Sequence, residues 1–313
     1  MFANPVVFIA GATGYTGSAI ARGLLSGGTF ARSLLSNTVI ILVRSSSCSK
    51  PIVKTLEAAG AVVRLGDVTD RPEQLEQNLE GVDILISTVF SLDNLKPLFL
   101  AASKLGVKRV IPSDFGPHAP RGVMFVNDLK LDLRNYIKSL GLPYTFVEVG
   151  WWTKVSFPYP HAIPESWIAP KHFVGTCDVP SIQSTLGSIA AFMERIIVDE
   201  RTLNQVVLIH DGEYTLNEMR GLGEKISGED FSDYPVISPE KLQSEMVSED
   251  PFVKSHAQYK YSMYIRGDNT LANAKADGLL IARELYDGIP VPDLEEEGRK
   301  FYKEPFVWGQ SEV

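Results

Sequence analysis

Three glycines, Gly11, Gly14 and Gly17, recur every third residue in the stretch FIAGATGYTGSAIARGLL. An apolar run precedes them, and Ile20, Gly23, Leu24 and Gly27 follow on one face at helical spacing. A glycine turn between a strand and a helix lets the backbone approach a pyrophosphate. It also aims the N–H groups of the helix N-terminus at the phosphate charge. The spacing, G-x-x-G-x-x-G, is one residue longer than the commonest dinucleotide fingerprint. Glycines cluster in ordinary turns too, so it is the position after the first strand and before the first helix that makes this a phosphate loop.

The rest of the first half supports that placement. Apolar runs at Val6–Ala10, Val39–Val43, Ala61–Leu65, Val82–Ile86, Val107–Ile111 and Tyr144–Val149 are continuous rather than alternating, as in strands covered on both faces. Helical patterns lie between them, one in TDRPEQLEQNL with Asp70 as its expected N-cap and Pro72 in its first turn. Strand alternating with helix predicts an α/β fold, a Rossmann-type doubly wound parallel sheet over residues 1–150. After Gly150 the texture changes to GWWTKVSFPYPHAIPESWIAPKHFVG, rich in aromatics and proline and without a period. Residues 151–313 are read as a smaller α/β substrate region, part of which packs back onto the first. It is expected to hold a helix near Ile182–Val198, a strand at Val206–Ile209, a capped helix from Thr215, a helix near Leu271–Tyr286 and a peripheral acidic tail from Leu294.

Composition narrows the class. The 313 residues carry 30 basic and 38 acidic side chains, net charge −8, with no basic run to serve a nucleic-acid surface. Apolar stretches such as TVIILV are too short to span a bilayer. Cys48 and Cys177 lack metal-ligand spacing, and a core strand begins almost at Met1, so a reduced, cytoplasmic setting is expected. Oligomeric state stays open, with a homodimer among the options.

The end of the second strand selects the nucleotide. NAD sites usually place an acid there, whereas IILVRSSS supplies Arg44, Ser45, Ser46 and Ser47, with Lys50 close behind. A guanidinium and hydroxyls suit a 2′-phosphate, so NADP(H) is the expected ligand. The bland alternative is a solvated surface arginine.

Read together, GATGYTG, LVRSSS, LGDVTD, IPSDFG and DLKLDLRNYIKSLGLPYTFVEVG resemble the NmrA-like and isoflavone reductase-like branch of the atypical short-chain dehydrogenases. The resemblance is firm from Val6 to about Gly150 and thinner through VVLIHDGEYTLNEMRGLGEKISG. It implies a Rossmann domain, a smaller C-terminal substrate domain and NADPH as hydride donor. It places the phosphate loop on Gly11, Thr13, Gly14, Tyr15, Thr16 and Gly17, and the 2′-phosphate arginine on Arg44. A catalytic lysine falls on Lys130 and a cofactor-contacting arginine on Arg134, while Ser113 stands where the fifth strand would meet the nicotinamide. Two departures stand out: Asp132 replaces a second basic residue of the plant reductases, and Glu148, Trp151 and Trp152 replace small polar residues. They leave the cofactor reading intact and the plant-type phenolic substrate unassigned.

The residues make their own case for Lys130. Leu129, Leu133, Tyr136, Ile137 and Leu140 form one stripe of a helix near Asp128–Leu140, with Lys130 at its edge and Arg134 one turn on. A boundary lysine can bury its stem, and burial beside a guanidinium disfavours the ammonium form. Edge lysines are also ordinary on amphipathic helices. None of the 11 tyrosines has a lysine four residues later, which argues against an ordinary short-chain alcohol dehydrogenase. The five histidines show no metal spacing, and no G-x-S-x-G elbow occurs. Trp151, Trp152, Phe157, Tyr159 and Trp167 are read either as a flat apolar substrate site or as packing between the two regions, and His161 and His172 either as lining that site or as surface loop histidines. The expectation is an NADPH-dependent reductase of a small aromatic or conjugated metabolite with Lys130 as acid/base. The alternative is a non-catalytic NADP(H)-sensing regulator that signals to a protein partner.

Overall fold

The structure, a computed structural model, describes residues 4–26, 38–166 and 169–306. Gly27 and Trp167 from the sequence reading lie outside them. Five strands, β1 (Val6–Ala10), β2 (Thr38–Val43), β3 (Val62–Leu65), β4 (Ile84–Ser87) and β5 (Arg109–Ile111), form a sheet in the order β3-β2-β1-β4-β5. Every pairing is parallel, so the continuous apolar runs are explained by helices on both faces. Those connecting helices are α1 (Tyr15–Ser26), α2 (Pro51–Ala58), α3 (Pro72–Leu79) and α4 (Lys96–Lys104). The order reverses between β1 and β4, which opens a crevice at the carboxyl ends of these strands.

Helix α5 (Phe125–Ser139) leads into β6 (Thr145–Glu148), which meets β5 through a single parallel bridge between Val110 and Tyr144. From there the chain keeps adding parallel strands. β10 (Gln205–Leu208) pairs with β6, and β13 (Leu280–Ile281) pairs with β10. Helix α6 (Leu186–Ile196) packs against α1, and Ile189, Phe192 and Met193 join the core under β1 and β2. Segments late in the chain thus complete the layer begun by β1 to β5.

The remainder is built from small pieces. β7 (Trp151–Trp152), β9 (Ser181–Ser184) and β11 (Gly212–Tyr214) form one sheet, and β8 (Phe173–Val174) pairs with β12 (Val236–Ile237). Helices α7 (Leu216–Ser227), α8 (Pro239–Glu245), α9 (Pro251–Tyr261), α10 (Leu271–Ala276), α11 (Ala282–Leu285) and α12 (Leu294–Lys303) surround them. The capped helix from Thr215 has its reciprocal box with Glu218.

Several sequence expectations need correction. Arg71, not Asp70, precedes α3, and the Asp70 carboxylate accepts the Asp67 N–H at 2.7 Å. The helix expected from Ile182 begins only at Leu186, capped by Thr185, because Ser181–Ser184 is recruited as the central strand of a sheet. The helix expected over Leu271–Tyr286 breaks at Gly278, whose φ of +78° is a left-handed stop, and Leu280–Ile281 then joins the parallel sheet. The acidic tail is not peripheral. It forms α12, capped by Asp293, and buries Phe301 completely against Phe157 and Tyr159. No helix among the described residues is long and apolar enough to cross a membrane.

Candidate active site

The glycine loop has the form that the sequence implied. Gly11 adopts φ +89°, and its carbonyl accepts from Gly14 N at 3.0 Å and from the Thr88 hydroxyl at 3.1 Å. Thr88, just beyond β4, therefore ties the loop across the crevice, a role the sequence did not announce. The three glycines differ in what they tolerate. A Cβ on Gly17 would lie 2.2 Å from the Gly11 oxygen, and one on Gly11 would lie 2.5 Å from Thr88 Oγ1. Those two serve the loop's own packing. A Cβ on Gly14 would meet only the Gly11 oxygen, at 3.3 Å, and Gly14 is exposed. The open face of the loop is at Gly14, where α1 begins and its first-turn N–H groups concentrate positive potential. Thr13 and Thr16 flank it half-buried, and the Tyr15 ring packs on Phe306 at 4.6 Å.

Arg44, Ser45 and Lys50 are exposed just past β2, on the same edge of the parallel sheet. The Arg44 side chain is 65% exposed, and its Nε lies 3.9 Å from Asp67 Oδ2. This is a weak, solvated pairing that an incoming phosphate dianion can displace. The open cradle at Gly14, the helix start and the exposed guanidinium fit a dinucleotide bearing a 2′-phosphate.

The other side of the crevice is charged and buried. Lys130 is only 6% exposed, deeper than a helix-edge residue, and its Nζ donates to the Asp114 carbonyl at 3.3 Å. Gly116 makes room for the amine, since a Cβ there would sit 2.8 Å from Nζ. Burial pushes the Lys130 pKa below its ordinary value, with Asp114 opposing and the Arg134 guanidinium adding to the drop. Ser113 is buried at the end of β5, on the same edge of the sheet.

Arg134 is held between two carboxylates. Its Nε donates to Asp114 Oδ2 at 2.9 Å and its Nη2 to Glu148 Oε1 at 2.7 Å. The second Glu148 oxygen lies 2.8 Å from His118 Nδ1, and His118 Nε2 lies 3.0 Å from Asp277 Oδ2. Burial raises the Asp114 pKa, while Arg134 and His118 overcome burial and hold Glu148 down at about 2. Asp114, Gly116 and His118 escaped the sequence reading, and Glu148 entered it only as a departure. A carboxylate ending the otherwise apolar run YTFV, inside a sheet covered on both faces, was the available signal.

The aromatic candidates separate. Half-buried Trp151 and Trp152 follow Glu148 after Val149 and Gly150, and Trp151 packs on Tyr259 of α9 at 5.7 Å. Phe157 and Tyr159 lie in a closed apolar cluster with Met219 and Phe301. His161 bonds Glu229 at 2.6 Å and Asp233 at 3.1 Å and stacks on Phe231, so it is occupied at the surface. His172, mostly buried, is pushed down to about 4 by burial and by Lys260. Asp132, the other departure, pairs with Arg121 at 2.8 Å on the exposed side of α5.

Comparison with known proteins bears on the family and the fold. The NmrA-like family matches residues 3–271. Asnovolin J 5′,6′-dehydrogenase of Aspergillus novofumigatus is 32% identical over 305 residues, covering 90% of this chain and 90% of that one. Phenylcoumaran benzylic ether reductase of Betula pendula is 28% identical, over 94% of this chain and 98% of the relative. Among solved structures, the binary complex of leucoanthocyanidin reductase and NADPH from Vitis vinifera superposes with a TM-score of 0.78. It covers 95% of this chain and 99% of its own at 23% identity, a likeness of fold.

Proposed function

The chain belongs to the NmrA-like family, and we propose that it is an NADPH-dependent oxidoreductase of small aromatic or conjugated metabolites, with Lys130 as its acid/base group. The observation that carries the reading is the Lys130 amine, buried at the carboxyl edge of the sheet and lowered in pKa, resting on a carbonyl rather than on a carboxylate. A lysine held in an ion pair is pinned as ammonium; this one, resting on a carbonyl, can release its proton and take it back.

Gly11, Thr13, Gly14, Thr16 and Gly17 form the cradle for the pyrophosphate, and Arg44, Ser45 and Lys50 receive the 2′-phosphate. When bound, NADPH supplies the hydride. Lys130 then supplies the proton: its Nζ donates to the oxygen of the substrate on which negative charge develops, and is left as the free amine. In the opposite direction the free amine takes the hydroxyl proton. The curated relatives include both reductases and a dehydrogenase, and the same group serves either direction. Trp151 and Tyr259 offer flat apolar surfaces suited to an aromatic ring. Arg134 contributes through Asp114 and Glu148 rather than by reaching the cofactor.

The test is NADPH oxidation in the presence of conjugated enones, quinones, phenolic ethers and isoflavonoids. The reading expects saturable consumption with at least one of these classes. A protein that binds NADPH tightly, oxidises it with none of them and captures a partner only in the presence of NADP(H) is a regulator instead.

Cofactor choice gives a second expectation. Arg44→Ala removes one charge-assisted contact and lowers NADPH affinity by about 1.5–3 kcal/mol, leaving NADH unchanged. Calorimetric titration of both cofactors checks it. Equal affinity for NADPH and NADH in the unaltered protein overturns the role given to Arg44.

A further inference from the structure

His118 has a carboxylate on each ring nitrogen, Glu148 on Nδ1 at 2.8 Å and Asp277 on Nε2 at 3.0 Å. An ionised carboxylate only accepts, and a neutral imidazole has one N–H, so the doubly donating imidazolium alone satisfies both. The Glu148 carboxylate is in turn shared between His118 and Arg134, and Arg134 between Glu148 and Asp114. The Asp114 carbonyl ends the chain at Lys130 Nζ. The loop is fixed from behind by Asn269, whose Oδ1 accepts the His118 N–H at 3.0 Å and whose Nδ2 donates to Ser181 and Ile182.

We propose that His118 is a positioning residue for Lys130: as an imidazolium it completes a buried, charge-balanced quartet with Glu148, Arg134 and Asp114 that fixes the place and the charge state of the lysine amine. The proposal rests on Lys130 being the acid/base group. Asp114 and Glu148 carry two negative charges, and Arg134 and His118 two positive ones. With the quartet neutral, burial decides the ionisation of Lys130. Remove the imidazolium charge and a net negative charge remains beside the amine, which favours ammonium. Asp114, Arg134 and Glu148 are the charged groups that face Lys130, from the loop after β5, from its own helix and from β6, and His118 acts through Glu148. Those that face His118 are Glu148 and Asp277, which raise its pKa against the effect of burial. Asp277 is the outer handle, its side chain 59% exposed on the residue after α10.

The test uses the full-length protein labelled with 15N at lysine Nζ, the Lys130 signal being assigned by its loss in Lys130→Ala. Its titration midpoint is followed in the parent, in His118→Gln and in Asp277→Asn, alongside the pH profile of turnover. The second variant changes an exposed side chain and so keeps the fold if the first does not. In His118→Gln the Glu148 carboxylate loses its imidazolium partner and the Lys130 midpoint rises by about one pH unit, on the order of what one uncompensated neighbouring charge gives. In Asp277→Asn the imidazolium loses its outer partner and deprotonates at lower pH, and the Lys130 midpoint rises once it has done so. In the direction of reduction, where the ammonium form is the active one, the alkaline limb of the kcat profile moves with the midpoint in both. An unchanged Lys130 midpoint in both variants, even with a lowered Tm, makes His118 a structural staple only and overturns the proposal. That outcome is separable from failure of the acid/base reading, which shows as full turnover in Lys130→Ala.

Discussion

Gly14→Val is expected to give a folded protein that no longer binds NADPH. The loop's own packing runs through Gly11 and Gly17, where a Cβ would strike Thr88 Oγ1 or the Gly11 oxygen. Gly14 is exposed, and a Cβ there meets only the Gly11 oxygen at 3.3 Å. A valine at this position therefore projects its methyls into the space above the loop, where a pyrophosphate must come within hydrogen-bond distance of the backbone. Forcing the ligand away costs about 3 kcal/mol or more, a hundredfold loss of affinity. The check is paired: thermal melting without ligand, expected to stay close to the parent, and the rise in Tm with NADPH, expected to vanish. A Tm that still climbs with NADPH as in the parent means that the phosphates sit elsewhere. Gly17→Val is the contrasting variant, expected to lose stability itself because its clash is with backbone.

The half of the molecule that could be read from the chain is the half whose signals are local. The glycine loop, the apolar runs of β1 to β6 and the capping box at Thr215 are each written within a dozen residues. Lys130 and Arg134 could be placed together because they are one turn apart on a helix. Their partners could not. His118 meets Glu148 across 30 positions and Asp277 across 159, and no periodicity encodes such a meeting. The same holds for β6 with β10, where Thr145 aligns with Gln205. Strands of two residues, such as Leu280–Ile281, are too short to carry a period, and a helical pattern ran through them until Gly278 was seen in the left-handed region. In the tail, the apolar spacing is sparse among acidic residues. Leu294, Gly298 and Phe301 fall on one face, which is the face that packs on Ile226 and Phe157.

The depth of Lys130 is the finding that most changes the chemical picture. A helix-edge lysine on the surface titrates near its ordinary value and has only modest catalytic use. One that is buried, seated over Gly116 and bonded to a carbonyl has its pKa pushed down, so that it exchanges its proton more readily. Asp114, Arg134, Glu148 and, behind them, His118 alternate in sign along the hydrogen-bonded chain, so the low-dielectric site need not hold an unpaired charge when the amine is neutral.

Lys130→Ala tests this account most directly. NADPH affinity is expected to stay within a few-fold of the parent, because the glycine loop and Arg44 hold the charged end of the cofactor. With the best substrate from the panel, kcat is expected to fall by about 10²–10⁴-fold, the usual worth of a positioned acid/base group. Its pH dependence is expected to lose the limb that belongs to the lysine. The measurement is kcat against pH for parent and variant at saturating NADPH, with affinity read separately by fluorescence titration of the nicotinamide. A variant that binds NADPH normally and turns over slowly with a flat profile is the result predicted. A variant that consumes the same substrate as fast as the parent, with the same profile, contradicts the assignment of the proton to Lys130 and with it the mechanism.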